Sequence, residues 1–191
     1  MINLSLDFGP GIDSCTTDIP MVCKAIGAAT RKGALVVAAA GNDGGANPEL
    51  PAAAPHVLSV AASTAAGSGC LASYSNSPTG EANWPITAPG GGNCVGGQPG
   101  SAIWQYSLKQ SAAMQGDFTK FGFVGLTGTS QSAAEVSAAA ALVIVNSTGS
   151  TPLTPKQAAR RLMKCARAAA PSFGAGLLDA GRATAPGACS S

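Results

Sequence analysis

Charged and aromatic side chains are what this sequence has least of. Asp, Glu, Lys and Arg together supply 10% of the residues and Phe, Trp and Tyr 5%, and His56 is the single histidine. So little charge excludes the solvated, self-repelling composition of a disordered segment. A net charge of +2, with no basic cluster beyond Arg160-Arg161, excludes the electrostatic footprint of a nucleic-acid binder. Long apolar runs are missing too. The most hydrophobic stretch, Ala138 to Val145, falls far short of the roughly 20 residues a membrane span requires. The reading is therefore no nucleic acid and no membrane. One histidine and no Cys-x-x-Cys cannot complete a zinc site, and no phosphate-cradling GxxxxGK[ST] or strand-to-helix GxGxxG occurs.

What is present is small and apolar. Hydrophobic residues make up 46% of the 191, and glycine contributes 25. That mixture suits closely packed buried elements within one domain. Six cysteines point to an oxidising compartment and hence a secreted protein. They fall as near pairs, Cys15/Cys23, Cys70/Cys94 and Cys165/Cys189, although six cysteines admit many connectivities. Met1 opens directly onto Ile2-Asn3-Leu4-Ser5-Leu6, a strand-like run without a leader segment. A strand requires neighbours, so Met1 reads as an internal or artificial start, and 1–191 as a single partial domain.

The order of elements gives the fold class. Residues 2–6 read as a short buried strand, followed by a Gly/Pro loop and a helix capped at Thr17 or Asp18. Ile19, Val22, Cys23, Ile26 and Thr30 share one face of that helix, and Gly33 stops it. Ala34 to Ala40 is continuously apolar, as a strand buried on both faces of a parallel sheet must be. Further strands are expected over Val57 to Ala61 and Trp84 to Ala88, and an irregular excursion over 90–120. An all-apolar core helix runs from about Ser130 to Asn146. A second helix opens on Thr154-Pro155-Lys156-Gln157, where Thr154 and Gln157 form a capping box. Strand, helix and strand in this order define an α/β fold with a mainly parallel sheet.

Chemistry concentrates where Gly125-Leu126-Thr127-Gly128-Thr129-Ser130 runs into the core helix. A serine there has an unpaired backbone N–H and the positive end of the helix dipole beside it, which is what a developing oxyanion requires. Taken alone, Ser130 or Thr129 reads more readily as a plain helix cap.

Other segments decide. Gly128-Thr129-Ser130-Gln131-Ser132-Ala133-Ala134 resembles the nucleophile motif of the subtilisin-like serine proteases, the subtilases. Ile2 to Leu6 is similar to the strand lining that family's substrate cleft, and Val36 to Asn42 to its strand ending in the oxyanion asparagine. Pro51-Ala52 with Val57 to Val60, Ala72 to Asn76, Ile86 to Gly90 and Gly174 to Ala180 follow in the family's order. The resemblance spans roughly residues 2–182 and corresponds to the C-terminal half of the catalytic domain. It implies a three-layer αβα, subtilisin-like fold, incomplete at the N-terminus, and serine endopeptidase chemistry on a peptide or protein substrate. Ser130 would be the nucleophile, and Asn42 would share the oxyanion with the Ser130 N–H. Ser5, Leu6, Ala39, Ala40, Gly41, Gly128 and Thr129 would contact the substrate, with Ala38 to Ala40 leaving room for an apolar side chain.

The chain departs from the family pattern at Ala134, where a proline is usual, at Glu135 beside it, and at Asp7, where glycine is usual. The larger departure is the absence of the upstream aspartate and histidine motifs. His56 reads as a structural connector, and Glu135 points away from the face of Ser130. The partner implied is the missing N-terminal half, and the chain alone should be inactive. A sedolisin-like acid protease shares the Gly-Thr-Ser region, but that group places an aspartate at the oxyanion, against Asn42. A non-catalytic homologue serving as a binding or scaffold module is the other alternative. No cofactor is implied. Calcium is common in the family, yet no carboxylate cluster marks a site. Asn3-Leu4-Ser5 and Asn146-Ser147-Thr148 fit the glycosylation pattern, the first expected to be buried.

Overall fold

The computed structural model describes residues 1–64, 70–79, 84–94, 101–147 and 152–189. Thr148 of the second glycosylation pattern and positions 95–100 of the expected excursion lie outside them. Four parallel strands form the sheet in sequence order: β1 (Ile2–Leu4), β2 (Val36–Ala39), β3 (Leu58–Ser63) and β4 (Trp84–Pro89). Helix α1 (Pro20–Arg31) crosses from β1 to β2. A two-stranded antiparallel sheet, β5 (Ile103–Leu108) and β6 (Phe121–Leu126), precedes α3 (Thr129–Val145), with the single-turn α2 (Gln110–Ala113) between its strands. The chain finishes with α4 (Pro155–Cys165), a 3₁₀ turn at Pro171–Phe173 and α5 (Ala180–Thr184).

The non-alternating sequence of β2 has its reason here. Val37 and Ala39 face one core with α3 and α4, against Leu58, Val60, Ile86, Val136, Ala140 and Leu162. Val36 and Ala38 face the other, beneath α1, with Ile26, Leu50, Ala52 and Val57. Helices on both faces make the three-layer αβα arrangement that the sequence implied. Small side chains at Ala39, Ala88, Ala133, Ala139 and Ala140 let α3 lie close to the sheet. The cysteines join as Cys15–Cys23, Cys70–Cys94 and Cys165–Cys189, the nearest-neighbour pairing.

Four expectations change. The strand at 2–6 is exposed rather than buried, because β1 is the edge of the described sheet; Ile2 is 40% and Leu6 46% accessible, and Asn3 is exposed with them. Helix α1 is capped by neither Thr17 nor Asp18. The Asp18 carboxylate accepts the Asp13 and Ser14 N–H groups, both at 3.0 Å, and Ile19 occupies the cap position without a side-chain bond. Helix α3 is apolar all round but only one face is covered: Val136, Ala139, Ala140 and Val143 are buried, whereas Leu142 and Val145 are exposed. The excursion after residue 90 contains the regular β5–β6 hairpin, whose alternation leaves Trp104, Tyr106, Phe121 and Phe123 on an open face. Glycine and serine around that hairpin mask its period in the sequence. The capping box of α4 is present as read, with Thr154 N–H donating to Gln157 Oε1 at 2.8 Å and Gln157 N–H to Thr154 Oγ1 at 3.3 Å.

Candidate active site

Parallel strands end together, so the loops that follow them meet at one edge of the sheet. The segments after β1, β2 and β4 converge there on the N-terminus of α3, the arrangement by which α/β sheets build their sites. Ser5 follows β1, and Ser130 is the second residue of α3. Ser5 Oγ donates to Ser130 O at 2.8 Å, and Ser130 Oγ donates to Ser5 O at 3.1 Å.

Asn42 approaches from the other side. Its Oδ1 accepts the Thr129 N–H at 2.9 Å and the Thr129 hydroxyl at 3.0 Å. The oxygen of the amide is thereby occupied at the helix terminus, which satisfies one of the helix's orphan donors. The NH₂ group of Asn42 and the Ser130 N–H have no acceptor among the described residues. Two hydrogen-bond donors thus stand unoccupied beside one serine hydroxyl.

Glycine is required at two points beneath them. At Gly90, a Cβ would lie 2.5 Å from Ala62 Cβ, 2.5 Å from Ser132 Oγ and 2.7 Å from Gly128 O. Gly90 O accepts the Gly128 N–H at 3.0 Å, so this close approach sets the entry into α3. At Gly41, φ is +111°, and a Cβ would meet Asn76 Nδ2 at 2.6 Å.

Two residues that sequence reasoning left without a role hold this loop set. Asn76 is buried, and its Oδ1 accepts the Asp43 N–H at 3.0 Å and the Gly45 N–H at 2.8 Å, fixing the chain beyond Asn42. The Tyr74 hydroxyl donates to Gly90 O at 2.8 Å and to Gly91 O at 2.9 Å, and burial pushes its pKa up to about 12. Both belong to the Ala72 to Asn76 segment, which the resemblance picked out; only the folded contacts show what it supports.

The remaining named residues divide by burial. Leu6 is exposed beside Ser5, and Gly128 and Thr129 form the entry to α3. Ala39 and Ala40 are fully buried, as is Ala38, with their side chains packed inward. His56 precedes β3, at the edge where the strands begin, with its ring 6.2 Å from that of Trp84. The site lies at the edge where they finish. Glu135 is half-buried, and desolvation lifts its pKa to about 7. Among the described residues no group of three or more His, Cys, Asp or Glu could hold a metal ion, and no helix is long and apolar enough to cross a membrane.

Helices on both faces of a parallel sheet, with a serine in the first turn of the central helix, define the class. The Subtilase family profile matches residues 1–180, and the chain belongs to that protease family. It is 34% identical over 185 residues to an extracellular protease of Xanthomonas campestris pv. campestris, a match covering 94% of this chain and 27% of that protein. Among solved structures, it resembles a protease from Pseudoalteromonas arctica with a TM-score of 0.72 and 28% identity, covering 99% of this chain and 51% of the other. It also resembles the prenylagaramide maturation protease PagA, with a TM-score of 0.70 and 25% identity over 96% of this chain and 60% of the other. The chain therefore spans little more than half of the solved relatives and about a quarter of the extracellular protease.

Proposed function

We propose that this chain is the nucleophile-bearing part of a secreted serine endopeptidase. The carrying observation is the pair of unoccupied donors, the Asn42 amide and the Ser130 N–H, at the terminus from which the Ser130 hydroxyl projects. Ser130 Oγ attacks the carbonyl carbon of a peptide bond. The carbonyl oxygen becomes an oxyanion between the two donors, and the helix dipole adds to its stabilisation. Strand end Ser5-Leu6 and the Gly128-Thr129 turn run alongside the substrate main chain. Gly41 gives the Asn42 loop its turn.

A base must take the Ser130 proton, and none touches it among the described residues: its hydroxyl is bonded to the Ser5 carbonyl. The base and the acid that orients it are supplied by the N-terminal half of the same catalytic domain, which is the partner in this reading. Three disulfides and the extracellular relative support secretion.

The same Ser5–Ser130 contact favours a second reading, a subtilase homologue that binds peptides without cleaving them. A fluorophosphonate serine probe separates the two. Residues 1–191 alone should remain unlabelled, and the protein extended by its preceding coding sequence should be labelled at Ser130 and lose the label in Ser130→Ala. Failure of the extended protein to label supports the binding module. Strong labelling of residues 1–191 alone would sink the account of the absent base.

A further inference from the structure

The chain has two Trp, two Tyr and five Phe, and four of these stand together on the β5–β6 hairpin. Trp104 pairs with Gly125, Tyr106 with Phe123 and Leu108 with Phe121, so alternate residues of both strands share one side. Trp104, Tyr106, Phe121 and Phe123 are 51–75% accessible there, with no other element of the described residues laid over them. The rings hold one another in place. Tyr106 meets Phe123 edge-on at 5.6 Å and stacks on Phe121 at 6.3 Å, and Trp104 lies over Gly125, where a Cβ would be 3.4 Å from its ring.

Single exposed apolar side chains are ordinary, but a contiguous strip of them is not. Each ring offers about 150–250 Å² when fully covered, so at this exposure the four present roughly 500 Å². Two such strips face to face bury about 1,000 Å² from the rings alone, the least that a specific interface needs. Met114 and Phe118, exposed in the connection between the strands, add to that area.

The chemistry of the strip selects its occupant. It carries no charge, and a peptide or a sugar finds few hydrogen-bond partners on it. A flat aromatic strip is complemented by another, which a two-fold axis supplies from a second copy. Charge is confined to the hairpin tip, where Asp117 stands with Lys109 and Lys120. With the tips side by side, Asp117 of one copy can meet a lysine of the other. The exposed Ile2 and Leu6 lie elsewhere, at the β1 edge, where a strand of the N-terminal half proposed above would add. The hairpin hangs from the end of β4, the opposite edge of the sheet, with Gly92 N–H donating to Ser101 O at 3.3 Å. We infer that the aromatic face of the β5–β6 hairpin joins two copies of this chain in a two-fold dimer.

Sedimentation equilibrium tests this on residues 1–191 and on the protein extended by its preceding coding sequence. At about 50 µM both should have the mass of two chains; a single copy of residues 1–191 is 18.5 kDa. Tyr106→Ser combined with Phe123→Ser, both at exposed positions, should weaken association at least about thirtyfold and leave circular dichroism unchanged. Trp104 gives a second reading that does not depend on how that variant folds. In Trp84→Phe it is the one tryptophan left, and its emission should move to shorter wavelength as rising concentration covers the ring. The mass of one chain at 50 µM overturns the proposal. So does a dimer that persists undiminished in the folded double variant, or that forms without the Trp104 shift, because either places the contact on another surface. A dimer of residues 1–191 that is lost in the extended protein also overturns it, since the N-terminal half then covers the face.

Discussion

Ser5 and Ser130, 125 positions apart, exchange hydrogen bonds in both directions, each hydroxyl donating to the other's carbonyl at 2.8 and 3.1 Å. The contact fixes the end of β1 against the first turn of α3. It also shows the Ser130 hydroxyl turned toward a carbonyl, an acceptor with no capacity to remove a proton at neutral pH. In the proposed reaction that hydroxyl has to exchange this partner for a base.

Asn42→Asp separates the two uses of the asparagine side chain. An aspartate retains an oxygen for Thr129 but has no NH₂ for an oxyanion. In the extended protein, if it cleaves peptides as proposed, kcat should fall by about 10²–10³ with little change in KM, as expected for a contact made only in the transition state. Circular dichroism should show the fold intact. A kcat within threefold of the parent, on an intact fold, removes Asn42 from the oxyanion site.

Gly90→Ala tests whether the site is set from below. Its Cβ would come within 2.5 Å of Ala62 Cβ and Ser132 Oγ and 2.7 Å of Gly128 O, two of which are held in the core and the third in backbone. A cost of about 1–3 kcal/mol in denaturant unfolding is expected, the range for overpacking. Because Gly128 hangs on Gly90 O, the amide shifts of Gly128 to Ser130 should move as well. Unchanged stability would show that the strand end gives way freely.

Glu135 and Glu49 make stability depend on pH in the direction opposite to that of ion-paired carboxylates. Burial raises both from the ordinary 4.5 to about 7, for Glu49 with help from its acidic neighbours. The folded state therefore holds protons that the unfolded chain releases. This contribution is complete below about pH 4.5 and is lost as pH rises through 7. Thermal melts should give a higher midpoint at pH 5 than at pH 8, and Glu135→Gln should narrow that difference by raising the midpoint at pH 8. A midpoint that rises from pH 5 to pH 8 contradicts the burial of these groups.

Much of the fold was legible because its signals are local. A run of strand length that does not alternate, Ala34 to Ala40, fits a strand covered on both faces, and Val36/Ala38 against Val37/Ala39 divide between the two cores as that requires. Thr154 and Gln157 close a capping box within four residues, so no distant partner was needed to find it. Thr17 and Asp18 fit the same grammar and failed, because the Asp18 carboxylate is engaged by the loop before it. The β5–β6 hairpin went unread because glycine and serine dilute an alternation of Trp104, Tyr106, Phe121 and Phe123 that only strand pairing makes plain.

The candidate site divides along the same line. Sequence alone picked out the residues to which the proposal gives the chemistry, since Gly128-Thr129-Ser130 and Ala40-Gly41-Asn42 are contiguous patterns in a recognisable order. Tertiary structure decided how they stand to one another. The Asn42 oxygen is taken by Thr129 while its NH₂ has no acceptor among the described residues, Ser130 is turned to Ser5, and Tyr74 and Asn76 brace the loops. It also buried the side chains of Ala38 to Ala40. Hydrogen bonds and charge act over a few ångströms in space, and where those partners are far apart in the chain no local pattern encodes them.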